Sequence, residues 1–449
     1  MKRFWLVLLS LGMVVAFSAS AMAVDVKFSG EYYAAGLYLD KTKLVKDTGT
    51  DGGSTAFFYQ RLRVNMDFVV SPGLTLVTRA DIMKRAWGAQ RSDVPLVTTN
   101  DQFSSGTRAE NENIAFDLAF VRYISPIGIF QVGYQIDGQY GTMFGDNPNP
   151  TPRIAYFLPF KGFTLGLLMG KNAPAISELS KTAILATTAT DRDSDFYTAF
   201  INYAWKTGSA GFLAKYVRSA QNRAVLGGDN GFLTNQYIAT PFVKATLGPV
   251  FVQAQLYHIF GQAAKFEGTT AGALADTRIN MIYGWVDATV NLGMFYTGGS
   301  IAYVSGNDPG SNAVQGAGGG TDWKPCLILF NNDLAYWAGA TTGYNGSSTG
   351  NQITNAWFGQ LRAGVKPIDK LDIGLAIAYA SADKKPTSAW LYNDYGYEVD
   401  LTATYKITNN LSYMLGAGYL FTGKYYRGVN DLNSINNDYL LINKLTLTF

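Results

Sequence analysis

Along most of this chain apolar and polar side chains alternate one by one. Leu62, Val64, Met66, Phe68 and Val70 share one parity, and Arg61, Arg63, Asn65 and Asp67 share the other. Successive side chains of a strand point to opposite faces, so this period predicts a strand with one apolar and one polar face. After Ser71-Pro72-Gly73 the pattern resumes, with Leu74, Leu76, Thr78, Ala80 and Ile82 set against Arg79, Asp81 and Arg85. Pairing Val70 with Leu74 across that turn places Phe68 opposite Leu76, Met66 opposite Thr78, Val64 opposite Ala80 and Leu62 opposite Ile82. The same register sets Arg63 against Asp81 and Asn65 against Arg79. A slip by one residue would oppose apolar to polar throughout, so pattern and turn agree independently. The stretch around Thr408-Asn409-Asn410 passes the same test, with Tyr405 facing Tyr413, Ala403 facing Leu415 and Leu401 facing Ala417.

Followed along the chain, the alternation predicts about eighteen strands, with about sixteen as the alternative count. They fall at 26–39, at the two segments above, and at 113–124, 128–137, 152–160, 162–171, 195–206, 209–218, 236–247 and 249–260. The series continues at 279–292, 294–304, 354–366, 371–382, 396–408, 411–422 and 439–449. Connections alternate between short turns, such as Lys161-Gly162 and Gly248-Pro249, and long loops, the longest near 305–353. Cys326 to Phe330, apolar but without alternation, is placed in that longest loop. One-sided strands joined in this way predict an all-β fold, a transmembrane antiparallel up-and-down β-barrel with lipid outside and a polar lumen inside. In the last strand Tyr439, Leu441, Leu445, Leu447 and the terminal Phe449 share the apolar face, and Asn443 is its one polar member.

The N-terminus changes the picture by giving a destination. Met1-Lys2-Arg3 is basic, Phe4 to Phe17 is apolar apart from Ser10 and Gly12, and Ala21-Met22-Ala23 supplies small residues. That order predicts a secretory signal peptide over 1–23, with one barrel domain over 24–449. The apolar run is too short to cross a bilayer as a helix. Charged residues make up 15% of the chain and aromatics 14%, while mean hydropathy is +0.02. A helical membrane protein would be more apolar and a soluble one more charged, so the intermediate average fits two-faced strands. A net charge of +3 gives no reason to expect nucleic acid as a partner.

Composition also excludes chemistry. The single Cys326 excludes an internal disulfide framework and a Cys-rich zinc site. The single histidine, His258, falls on the lipid-facing parity with Val252, Ala254 and Leu256, which leaves no histidine base in the lumen and no multi-histidine metal site. No enzyme activity and no cofactor are therefore expected. Gly316-Ala-Gly-Gly-Gly320 lacks the Lys-Ser/Thr ending of a phosphate loop and reads as a mobile outer loop. Asn430-Asp431 and Asn436-Asn437-Asp438 could hold calcium or touch lipopolysaccharide, but read better as solvated loop tips.

What remains is the inward face. Its basic residues are expected at Lys27, Arg61, Arg63, Arg79, Arg85, Arg153, Lys215, Lys244 and Arg362. Its acidic ones are expected at Glu31, Asp67, Asp81, Asp117, Asp137, Asp287, Asp372, Glu398 and Asp400. Near balance of the two signs implies a pore with weak charge preference. Two function classes follow: a passive channel for ions and small hydrophilic solutes, or a barrel sheath around a periplasmic electron-transfer partner.

Over essentially all of the chain after residue 23 this pattern resembles the Gram-negative outer-membrane porins, and among them the OmpJ-type porins of Geobacter-like anaerobes. The residues that carry the resemblance are the leader running into Val24-Asp-Val-Lys-Phe-Ser-Gly30, the segment Gly133-Tyr-Gln-Ile-Asp-Gly-Gln-Tyr-Gly-Thr-Met-Phe-Gly145, and Phe449. The resemblance implies an outer-membrane location among lipid and lipopolysaccharide, and passive diffusion of small solutes. It also implies Phe449 as the signal read by the barrel-assembly machinery, and a homotrimer. It further implies that the third long loop, 138–150, folds into the lumen. Gly138, Gly141 and Gly145 would let that loop turn, and Pro148 and Pro150 would stiffen its return. Asp146 on the loop would then face Arg61, Arg63 and Arg79, with Arg85 higher on the same wall and Asp81 offsetting part of the charge. That arrangement would be the pore constriction.

Overall fold

The computed structural model describes residues 24–46, 52–88, 114–173, 192–223, 231–268 and 274–449. The leader over 1–23 lies outside them. The described chain forms eighteen strands: β1 (Asp25–Leu39), β2 (Thr55–Ser71), β3 (Leu74–Ala86), β4 (Ile114–Ser125), β5 (Gly128–Asp137) and β6 (Asn149–Phe160). Next come β7 (Phe163–Ala173), β8 (Ser194–Trp205), β9 (Gly208–Ser219), β10 (Phe232–Leu247), β11 (Val250–Phe266) and β12 (Thr277–Leu292). The last six are β13 (Phe295–Val304), β14 (Ala356–Ile368), β15 (Leu371–Ala382), β16 (Asp394–Lys406), β17 (Leu411–Thr422) and β18 (Asp438–Thr448). Each pairs antiparallel with the next, and β18 pairs back onto β1 with Tyr32 opposite Leu447 and Ala35 opposite Lys444, so the sheet closes on itself. Closure removes both sheet edges, which is what lets a β-structure sit in hydrocarbon.

The alternation reads directly onto the two faces. On β14 Leu361 is 75% exposed and points out, while its neighbour Gln360 is 8% exposed and points in. Ile301 and Val286 stand on the outer belt beside inward Ser300 and Asp287. The β2–β3 register matches the one read from sequence at Phe68–Leu76, Val64–Ala80, Leu62–Ile82 and Arg63–Asp81. It departs at the turn, where Ser71 rather than Val70 opposes Leu74, because Val70 is bulged out of the ladder. Between β6 and β7 the two-residue turn has Lys161 and Gly162 both at positive φ, 46° and 86°, the backbone that matches strand twist in a tight hairpin.

The core lies inside the barrel. The segment between β13 and β14 turns into the lumen and buries Trp323, Cys326, Ile328, Leu329, Phe330 and Ile353, each at 4% exposure or less. These pack on inward residues of the wall, among them Leu37, Leu39, Trp285, Phe358 and Leu440. A short helix, α1 (Asn332–Ala338), continues the segment. Asn331 caps it by accepting from the backbone N–H of Asp333 and Leu334, and Gly339 ends it at a φ of 83°. Trp337 of this helix stacks on Tyr59 of β2 at 4.4 Å. Sequence reading assigned Cys326–Phe330 to the longest loop correctly, but as an outer loop. Its apolar side chains instead cover apolar inward positions.

Candidate channel interior

A buried loop must find partners for its own amides. Here they come from two carboxylates of β16. Ile328 and Leu329 donate their N–H groups to Glu398 at 2.6 and 2.7 Å, and Leu327 donates to Asp400 at 3.2 Å. Glu398 and Asp400, two residues apart and so on one face, are buried anchors of the loop rather than the solvated lumen residues expected from alternation. Cys326 sits beside the pair, and burial pushes its thiol well above the ordinary range.

The loop between β5 and β6 crosses the lumen from β8 to β12. Tyr140 donates its hydroxyl to Asn202 at 2.6 Å and packs against Phe200 and Phe242. Thr142 donates both its N–H and its hydroxyl to Gln255 of β11 at 2.7 and 2.6 Å. Phe144, fully buried, lies between Trp285 and Trp323 at 5.6 and 5.0 Å. Gly145 passes so close to Tyr257 that a Cβ there would meet the ring at 2.2 Å, which admits only glycine.

The two inward segments bind each other. Gly320 donates to the Phe144 carbonyl at 2.7 Å and Asp322 to that of Asp146 at 3.2 Å, while Gly319 ties its own segment together by donating to the Ile353 carbonyl at 2.8 Å. Gly316–Gly320 is therefore a packed joint between the two segments, not the outer loop expected from its composition. Its glycines allow the backbones to touch.

The structure does not bring the expected constriction residues together as expected. Asp146 accepts from the Tyr140 N–H at 2.9 Å and lies in the field of Asp322 and Lys244, on the β10–β11 side. Burial raises its carboxyl to about 6, and the nearby Asp322 adds to the rise. Arg61, Arg63 and Arg79 are elsewhere, on the wall, and pair with wall carboxylates. Arg61 meets Glu31 at 2.9 Å, Arg63 meets Asp81 at 2.6 Å and Asp117 at 3.8 Å, and Arg79 meets Asp117 at 2.5 Å. The loop carboxylate within electrostatic reach of this wall is Asp333 of α1, which acts on Tyr33, Tyr59, Lys84 and Lys444.

Arg85 is not on that wall at all. Gln60 opposes Arg85 while Leu62 opposes Ile82, so β3 carries an extra residue, and Met83 takes a positive φ of 51°. The bulge reverses the parity above it. Arg85 shares the outward face with Gln60, and Lys84 takes the inward place, 3.9 Å from the Tyr336 ring. A second irregularity in β4, where Arg79 opposes Leu118 but Ala80 opposes Phe116, turns Arg122 inward to meet Asp67 at 3.1 Å. Sequence reading missed Lys84 and Arg122. The signal was present as adjacent apolar pairs, Ile82-Met83 and Phe120-Val121, which strict alternation does not allow.

The wall from β1 through β9 thus carries Arg61, Arg63, Arg79, Arg122, Arg153 and Lys215 in contact with Glu31, Asp81, Asp117, Asp67 and Asp137. Their side chains are 12–38% exposed, and among the described residues none of them bonds to either inward loop. One side of the lumen is filled by packed aromatics, and the other is lined with half-buried ion pairs. His258 lies on the outward face beside Asn280, 3.0 Å away, in keeping with its sequence parity. Asp431 is held by Arg427 at 2.8 Å, and burial-free contact with Tyr392 and Arg427 lowers its carboxyl.

No family profile and no curated protein sequence matches the chain. Solved structures do. Pseudomonas aeruginosa OccK2 (OpdF) superposes with a TM-score of 0.50 at 10% identity, over 94% of this chain and 98% of that one. Pseudomonas aeruginosa OccK11 (OpdR) gives a TM-score of 0.50 at 12% identity, over 95% and 96%. The anion-selective porin from Comamonas acidovorans gives 0.46 at 11% identity, over 95% and 99%. At these identities the likeness is one of fold alone, a closed antiparallel β-barrel.

Proposed function

We propose that this protein is an outer-membrane porin, a water-filled channel for passive diffusion of ions and small hydrophilic solutes with weak charge selectivity. The observation that carries the reading is the one-sided lumen. A wall of six cations interleaved with five carboxylates faces the lumen while two loops pack against the other side of the barrel. These pairs are half-buried on the wall, and their accumulation on one side of the lumen, clear of both inward loops among the described residues, fits a role in the pore. Solutes pass along β2 to β9 rather than down the barrel axis. Arg61, Arg63 and Arg79 with Asp81 set the local field there, and Asp146 contributes charge from the opposite bank.

The fold likeness to outer-membrane channels supports this reading, and the apolar outer belt supports the membrane location, reached through cleavage near Ala23. The alternative of a sheath around a protein partner needs a lumen clear enough to admit one, and the packed inward segments occupy that space. The tie to OmpJ-type porins rests on the sequence features alone. Purified protein in a planar lipid bilayer tests the proposal. Discrete ohmic conductance steps with a small reversal potential across a salt gradient are the expected result, and a silent bilayer with correctly folded protein overturns it.

A further inference from the structure

Cys326, Glu398 and Asp400 converge where the segment between β13 and β14 leans on β16. One ligand atom from each, the sulfur and a carboxylate oxygen of either acid, lies within 4.8 Å of the other two. All three residues are buried. The acids accept from the backbone N–H groups of Leu327, Ile328 and Leu329, and among the described residues neither forms a salt bridge. Buried charge of one sign is costly, and proteins pair it or place it on a metal.

Two buried polar atoms at this spot lack a partner. Asp400, 6% exposed, takes the Leu327 N–H on Oδ2, while its Oδ1 has no hydrogen bond. Tyr426, fully buried and in the field of Glu398, has a hydroxyl with none. Gly418 stands opposite Asp400 on β17, where a Cβ would come within 2.7 Å of that Oδ1 and 3.0 Å of Leu327. Glycine thus keeps the cluster open on its strand side. A proton shared between the two acids would satisfy two oxygens and leave the sulfur out. A cation takes all three groups.

We propose that Cys326, Glu398 and Asp400 bind a divalent transition-metal cation of the zinc class, which pins the inward segment to β16. The thiolate selects against Ca2+ and Mg2+, which take oxygen ligands. Such cations bond sulfur at about 2.3 Å and carboxylate oxygen at about 2.0–2.2 Å, and a fourth position falls to water. Binding releases the thiol proton, and any carboxyl proton, to solvent. One thiol with two carboxylates is neither the Cys-rich nor the multi-histidine site that composition excludes. The cluster lies on the packed side of the lumen, so it stands or falls separately from what crosses the charged wall.

The test refolds the full chain, without a histidine tag, from urea into detergent with Co2+ as the one divalent cation. The proposal expects one cobalt per chain after desalting and a thiolate-to-cobalt charge-transfer band. Cys326 is the only cysteine, so the band identifies the site even where a variant fails to fold. Cys326→Ser should abolish the band, and Asp400→Asn should weaken cobalt binding by about tenfold or more. Both variants should stay heat-modifiable, because the segment keeps its amide bonds to Glu398 and its apolar packing. Wild-type protein that refolds without cobalt or without the band overturns the proposal, as does binding undiminished in either variant. So does protein isolated from outer membranes that holds no transition metal.

Discussion

Phe144 lies flat against Trp285, ring centroids 5.6 Å apart and planes 15° from parallel, and this contact joins a loop to the inner wall of the barrel. Phe144 is fully buried and also meets Trp323 edge-on. Truncating a buried aromatic costs about 3–5 kcal/mol. Phe144→Ala should therefore loosen the loop between β5 and β6 without unfolding a barrel held by eighteen strand pairings. The expected result is larger and noisier single-channel conductance. Wild-type conductance and noise would show that the loop does not bound the water path.

Asp146 should make conductance through the proposed channel pH-dependent. Its carboxyl is raised from 3.8 to about 6, first by burial and then by Asp322. A raised acid favours the folded loop while neutral, so its contribution is fully present below the unfolded value of 3.8 and is lost as pH rises through about 6. The same titration removes a lumen charge on acidification. Cation preference should fall between about pH 7.5 and about pH 5, and Asp146→Asn should abolish the change. A reversal potential that shifts equally in the variant would assign the effect to another group.

Strand pairing and face were legible because period two is a direct consequence of strand geometry. The eighteen strands lie within a few residues of the predicted segments, and the three-residue turn near Thr408 holds Tyr405 against Tyr413 as read. The loops were not legible, because their contacts are set by what the wall leaves uncovered. Ile328 and Leu329 look like stray apolar residues until Glu398 is placed behind them. Arg85 failed for a different reason. One extra residue at Met83 moves every later side chain of β3 to the other face, and period counting cannot survive a bulge.

Barrel closure predicts the role of the last residue. Phe449 and Gly30 exchange backbone hydrogen bonds at 2.8 and 3.1 Å, and a Cβ on Gly30 would come within 2.7 Å of the Phe449 ring. Deleting Phe449 should reduce the amount of heat-modifiable protein in the outer membrane, and Gly30→Val should do so more weakly. Undiminished insertion of the deletion variant would remove the terminal residue from the assembly step.

The charged wall predicts selectivity. Replacing Arg61, Arg63 and Arg79 with serine leaves Glu31, Asp81 and Asp117 without their partners. The reversal potential in a salt gradient should move toward cation preference, and low ionic strength should enlarge the change because screening is weaker there. Unchanged reversal potential and conductance would place the constriction away from this wall.

The central claim is that water and solute follow the charged wall and not the packed one. Single cysteines in a Cys326→Ser background test it directly, at Arg122 on β4 and at Ala378 on β15. Arg122 is a third exposed in its pair with Asp67, whereas Ala378 is 3% exposed beneath the loop that follows β13. A charged methanethiosulfonate added to a conducting bilayer should step the current down in Arg122→Cys and leave Ala378→Cys untouched. Block at Ala378→Cys, or none at Arg122→Cys, would contradict the account.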